Sequence, residues 1–174
     1  MKSHLTAVRL SRHAMIFVTV GSDIPFDRLV KTVDRWASDR NRHDVFAQIG
    51  RGAWLPRFIR FAAMLEPAKF KERLADSQFV VGHAGMGTIL SALQISKPIL
   101  VMPRRGHLGE TRNDHQIDTA RHLLALGRVN VAFDENELYQ LLDRLEELVP
   151  KERISPFAAP ELVRALHHFL HHQS

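Results

Sequence analysis

The sequence contains no cysteine. That excludes disulfides, thiolate metal sites and cysteine nucleophiles, and it suits a reducing compartment. Long hydrophobic runs are also missing: nothing approaches the roughly 20 apolar residues that a membrane-spanning helix needs. The first 14 residues, MKSHLTAVRLSRHA, are basic but lack the apolar stretch of a signal peptide. A cytoplasmic chain is therefore expected, able to work at the inner face of a membrane. Aromatic residues are sparse at 7%, and the arginines follow no RNA-binding motif, so no nucleic-acid partner is expected. D-x-D, H-E-x-x-H and acid–histidine clusters at metal-ligating spacing are all absent. The expectation is a site without metal or cofactor.

What is present bounds the rest. At 174 residues and 45% hydrophobic content, the chain can bury one sizeable core. Its formal net charge of +5 points to an anionic partner. Apolar runs ended by glycine or proline predict strands at 15–21, 44–50, 57–61, 77–82, 97–103 and 128–133. Helical spacing predicts helices at 25–39, 66–76 with Pro67 in the first turn, 87–96, 112–125 and 135–148. Thr111 and Asp114 read as a capping box for the fourth of these, with Ile117, Ala120 and Leu124 as its buried stripe. Asp134 reads as the cap of the fifth. Strands alternating with helices require crossover connections, hence an α/β, Rossmann-like parallel sheet covered on both faces. Ligands of such sheets bind beyond the carboxyl ends of the strands.

Three clusters fall at those ends. GHAGMGT (82–88) is a strand exit, a glycine turn and a helix start. Its amides at Gly87 and Thr88 would meet an anion at the positive end of the helix dipole. It matches neither G-x-G-x-x-G nor a P-loop, and a turn needing glycine for backbone reasons alone is the plain alternative. Arg104 and Arg105 follow the next strand, where guanidinium groups suit phosphate oxygens. In RNDHQ (112–116), the amides of Asn113 and Gln116 suit sugar hydroxyls, His115 lies nearer the outward face, and Asp114 serves as a capping acid. The ligand these clusters describe is a nucleotide-diphosphate sugar held without a divalent ion.

With MIFVTVGS, GHAGMGTIL and KPILVMPRRGHLGETRNDHQ in view, residues 15–148 resemble the C-terminal domain of glycosyltransferase family 28. This is the MurG-like donor-binding half of a GT-B fold. The resemblance extends to stand-alone forms of that half: the small subunit of the dolichol-linked UDP-GlcNAc transferase, and bacterial exopolysaccharide glycosyltransferase subunits. It implies a UDP-sugar donor and an inverting, metal-independent hexosyltransferase, acting with a membrane-associated acceptor-binding partner. By position, Ala84, Gly85, Met86, Gly87 and Thr88 would hold the diphosphate. Asn113, Asp114, His115 and Gln116 would face the sugar and ribose. The loop around Phe61, Met64 and Leu65 would pack near the base, and Gly21 and Ser22 would line the cleft towards the acceptor. His83 is the local candidate for assisting the leaving group or the acceptor, beside a purely structural reading in which it bonds the turn. One departure stands out. Where family members often carry a glutamate for the ribose hydroxyls, this chain has Ser91, which leaves a non-catalytic nucleotide-binding or regulatory subunit as the alternative.

Residues 1–14 are thus expected to be an extension, 15–148 the donor domain, and 149–174 a loop with an amphipathic helix. In that helix Leu162, Leu166, Phe169 and Leu170 form one side, and His167, His168, His171 and His172 lie elsewhere.

Overall fold

The computed structural model describes residues 15–21 and 24–148, together with Pro160 and Arg164. The expected extension over 1–14 and, apart from those two residues, the C-terminal segment with its histidines lie outside the described residues. Six short strands form one parallel sheet: β1 (Ile16–Thr19), β2 (Val45–Gln48), β3 (Arg60–Ala62), β4 (Phe79–His83), β5 (Ile99–Met102) and β6 (Asn130–Val131). The helices are α1 (Asp27–Asp39), α2 (Pro67–Asp76), α3 (Met86–Gln94), α4 (His115–Ala125) and α5 (Glu135–Asp143). Strand order is β3-β2-β1-β4-β5-β6. The chain winds outward from β1 to β3, then returns to place β4 against the other side of β1. That reversal opens a crevice at the carboxyl ends of β1 and β4.

Period-two alternation distributes the core. Ile16, Val18, Val81, Leu100 and Met102 face α1 and α5, where Leu29, Val33, Trp36, Leu138 and Leu142 are buried. Phe17, Val80, Ile99 and Val101 face α2, α3 and α4 through Leu74, Ile89, Leu93, Ala120 and Leu123. Strands buried on both faces read as continuous apolar runs, which is why 15–21 and 97–103 were recognisable.

Three elements differ from the sequence expectation. β3 covers 60–62 rather than 57–61, because the amides before it are drawn to α1. Asp34, buried on α1, accepts from Arg57 N at 3.1 Å and from Phe58 N and Ile59 N at 2.9 Å each. Helix α4 begins at His115, not 112, and Thr119, Ala120 and Leu123 form its buried side while Leu124 is exposed. Asp134 does cap α5, accepting from Asn136 N at 2.9 Å and Glu137 N at 2.8 Å. That helix ends at Asp143, and a single 3-10 turn (Leu145–Glu147) follows.

The carboxylate of Asp34 is the sole printed anchor of three consecutive amides on the way into β3. Asp34→Ala leaves those donors unpaired and should cost about 2–3 kcal/mol. For a chain of this length, thermal unfolding should then fall by roughly 4–12 °C. A melting point within 2 °C of the parent would show that the loop holds without it.

Candidate functional site

At the crevice, a cleft of about 1390 Å³ runs between the exits of β1, β2 and β4, with α2 and α3 along one wall and residues 111–113 on the other. Its floor is set by backbone. Gly21 takes φ +83°, a left-handed conformation that a side chain resists, and turns its carbonyl to Gln48 Nε2, which donates at 3.0 Å. Gly21 N donates to Thr19 Oγ1 at 3.2 Å.

His83 closes β4, and its ring lies over two bare α-carbons. A Cβ on Gly21 would stand 2.7 Å from His83 Cε1, and one on Gly85 would stand 2.0 Å from Nε2. Gly85 is therefore required by the histidine. Gly87 is not: a Cβ there meets nothing within 4 Å and would project into open space beside the cleft. Since Gly87 has no positive φ either, local structure gives no reason for a glycine at this position. Gly85 is the N-cap of α3, so the amides of Met86, Gly87 and Thr88 are the unpaired donors of its first turn and give that end positive character.

The arginines divide in a way the sequence does not reveal. Arg104 is 3% exposed, and its guanidinium donates to Val20 O (2.9 Å), Ile24 O (2.6 Å), Pro25 O (2.7 Å) and Glu110 O (3.2 Å). It stitches the β1 exit to the β5 exit, which corrects the expectation of a phosphate-facing guanidinium. Arg105 turns away from the cleft. Its Nη2 donates to Phe133 O at 2.6 Å, and it borders a separate hollow with His107 and Arg121. The arginine on the cleft wall is Arg112, which is exposed and was not singled out from sequence. Glu110 fixes the loop between: it accepts from Arg28 Nε at 2.7 Å and Nη2 at 2.9 Å, and from Arg105 N at 2.9 Å. Burial opposes the Arg28 charge, but its bonds and proximity to Glu110 outweigh that and raise its pKa above the ordinary arginine value.

Asp114 sits at the N-cap position of α4 without capping it. Its Oδ1 accepts instead from Gly106 N at 2.7 Å, so the expected capping box with Thr111 is absent and residues 111–114 are loop. Gln116 does not border the cleft, and its Oε1 accepts from Arg104 N at 3.1 Å. His115 is exposed and away from the lining, Ala84 is buried in the core, and Phe61 is on the outer edge of the sheet. Gly21, Met64, Leu65, His83, Gly85, Met86, Gly87, Thr88, Ser91, Arg104 and Asn113 are brought together around the cleft. Ser22 lies outside the described residues. Ser91 Oγ donates to Gly87 O at 2.7 Å.

Gln48 and Lys71 line the cleft but were not anticipated. Gln48 had a signal, an amide side chain in an otherwise apolar strand. Lys71 had none beyond its helix position. Among the described residues lining the cleft, Lys71, Arg104 and Arg112 are charged and none is Asp or Glu. No group of three or more potential metal ligands occurs among the described residues.

The sequence model of the glycosyltransferase family 28 C-terminal domain matches residues 15–161. The chain belongs to this family. UDP-N-acetylglucosamine transferase subunit ALG13 of Homo sapiens is 30% identical over 118 residues, covering 62% of this chain and 10% of that protein. The Mus musculus subunit of the same name is 29% identical over 117 residues. The chain thus spans about a tenth of the length of these curated relatives. Among solved structures, the NMR structure of ALG13 superposes with TM-score 0.61 at 20% identity, covering 88% of this chain and 94% of that one. MurG of Acinetobacter baumannii gives TM-score 0.63 at 15% identity, covering 91% and 51%. These structures establish the fold: a six-stranded Rossmann-like unit of the kind found in GT-B glycosyltransferases.

Removing the Arg104 guanidinium strands carbonyls from two loops at once. Arg104→Met should destabilise the family 28 domain by about 4 kcal/mol. Arg104→Lys should recover less than half of that, because one ammonium cannot span the same four acceptors. Urea unfolding of the three proteins measures both. Equal stability of the lysine variant and the parent would refute the fan of bonds as the stabilising feature.

Proposed function

We propose that the chain is the donor-binding subunit of an inverting, metal-independent hexosyltransferase. It would take a UDP-sugar and meet the acceptor on a membrane-associated partner chain, in exopolysaccharide or lipid-linked glycan synthesis. The observation that carries the reading is the cleft: large enough for a nucleotide sugar, floored by the open amino end of α3, and lined by cations without a carboxylate. The family membership supports a glycosyl donor, and the "subunit" status of the ALG13 relatives supports a partner.

In that reaction an acceptor oxygen attacks the anomeric carbon while its bond to the diphosphate breaks. The proton lost by the acceptor passes to a base, which we assign to the partner. What this chain contributes is stabilisation of the departing diphosphate. The first-turn amides of α3 approach it where Gly87 leaves room, and Lys71 and Arg112 add charge from opposite walls. His83, held in place by its glycine slot, is positioned beside that same turn and would assist the leaving phosphate or the acceptor. Asn113 is the amide on the wall available to sugar hydroxyls. The reading as a non-catalytic nucleotide-binding subunit draws on Ser91, whose hydroxyl is turned to Gly87 O. Restoration of sugar transfer by adding the partner would decide against it.

Calorimetric titration with UDP-GlcNAc, UDP-glucose, UDP-glucuronate and UDP, in EDTA, tests the proposal. One donor should bind without metal. Gly87→Ala should leave stability unchanged or raise it by up to about 1 kcal/mol. The same substitution should weaken UDP binding at least tenfold by filling the space the diphosphate needs. Loss of stability with unchanged binding would return Gly87 to a backbone role and remove the diphosphate from α3.

A further inference from the structure

The outer edge of the sheet carries a surface that the donor cleft does not explain. Residues 51–65, RGAWLPRFIRFAAML, contain three arginines and no acid. They form the loop into β3, β3 itself and the start of the cleft wall. β3 pairs with β2 on one side only, so its other side is a sheet edge. Two large apolar side chains stand out there, Leu55 at 63% exposure and Phe61 at 39%. Arg51, Arg57 and Arg60 are exposed around them. None of the three guanidinium groups has an ion pair or side-chain hydrogen bond among the described residues.

The nearest carboxylates are already occupied. Asp27 accepts from Trp54 N, Asp34 takes the amides of 57–59, and Asp44 pairs with Arg42. Lys31, over the Trp54 ring at 5.7 Å, extends the positive side. Natural sheet edges are blunted by charge, which accounts for arginines alone. It does not account for exposed leucine and phenylalanine set among them.

We propose that this edge is a docking surface for an anionic lipid bilayer. The arginines would meet lipid phosphates and carboxylates while Leu55 and Phe61 enter the interfacial layer. Each cationic side chain near an anionic leaflet strengthens partition by roughly fivefold. Three arginines with two apolar anchors suffice for reversible binding that falls with salt. The geometry gives the docking a purpose. Phe61 is three residues from Met64, which lines the cleft, so a bilayer on this edge would lie beside the cleft mouth. The inference does not depend on the identity of the donor.

Co-sedimentation of the full chain with vesicles tests it, using phosphatidylcholine alone and phosphatidylcholine with 30% phosphatidylglycerol. The parent should bind the anionic vesicles only, and should release in 0.5 M salt. Arg57→Gln with Arg60→Gln, and separately Leu55→Ser with Phe61→Ser, should each lower partition at least tenfold with the circular dichroism spectrum unchanged. The charge-matched control, Arg121→Gln with Arg144→Gln on α4 and after α5, should stay within about twofold of the parent. Absence of binding to anionic vesicles overturns the proposal. So does an equal loss in the control, which would indicate charge without a site. Full binding by both edge variants overturns it as well and leaves the edge to a protein partner.

Discussion

Arg104 holds together the two loops on which everything at the crevice depends. A parallel sheet that reverses its winding direction leaves a gap between the strands flanking the reversal, and the loops leaving those strands are otherwise unconnected. Here one buried guanidinium spans them, taking carbonyls from the β1 exit at Val20, Ile24 and Pro25 and from the β5 exit at Glu110. A buried charge is costly unless its donors are matched, and an arginine fan onto carbonyl oxygens is one of the few arrangements that does so without a counter-charge in contact. Glu110 in turn receives Arg28 and the Arg105 amide, so a second ion pair stiffens the same loop. The crevice is thereby fixed before any ligand arrives.

On that frame, the glycine turn separates structure from use. Gly21 and Gly85 are the two sides of a slot for the His83 ring, and neither can gain a side chain without displacing it. Gly87 has no such neighbour, which makes it the position where absence of a side chain serves something outside the protein. With Lys71 and Arg112 on the walls and no carboxylate among the described lining residues, the cleft is electrostatically one-sided. That is the field a diphosphate requires, and it needs no divalent ion to compensate repelling acids.

Much of this was readable in the sequence, and the failures have a common cause. Strand runs such as 15–21 and 97–103, the glycine-ended exits and the Asp134 cap are local patterns whose physics is complete within a few residues. The arginine pair is not local. Nothing in PRRG indicates that Arg104 turns inward to carbonyls some 80 positions earlier while Arg105 reaches Phe133 O. Asp114 fails for the same reason: Gly106 N competes for the carboxylate that a capping box would use. Gln116, expected at the sugar, is spent on the Arg104 amide. Arg112 and Lys71 were overlooked because exposed cations on a loop and a helix are common, and only the fold brings them to one cleft.

Amide chemical-shift mapping on titration with UDP, in EDTA, tests the central claim most directly. The account predicts perturbations concentrated at Met86, Gly87 and Thr88 and at residues 111–113, with Arg105, His107 and Arg121 unaffected. Shifts centred on the latter hollow, or none at the start of α3, would contradict it.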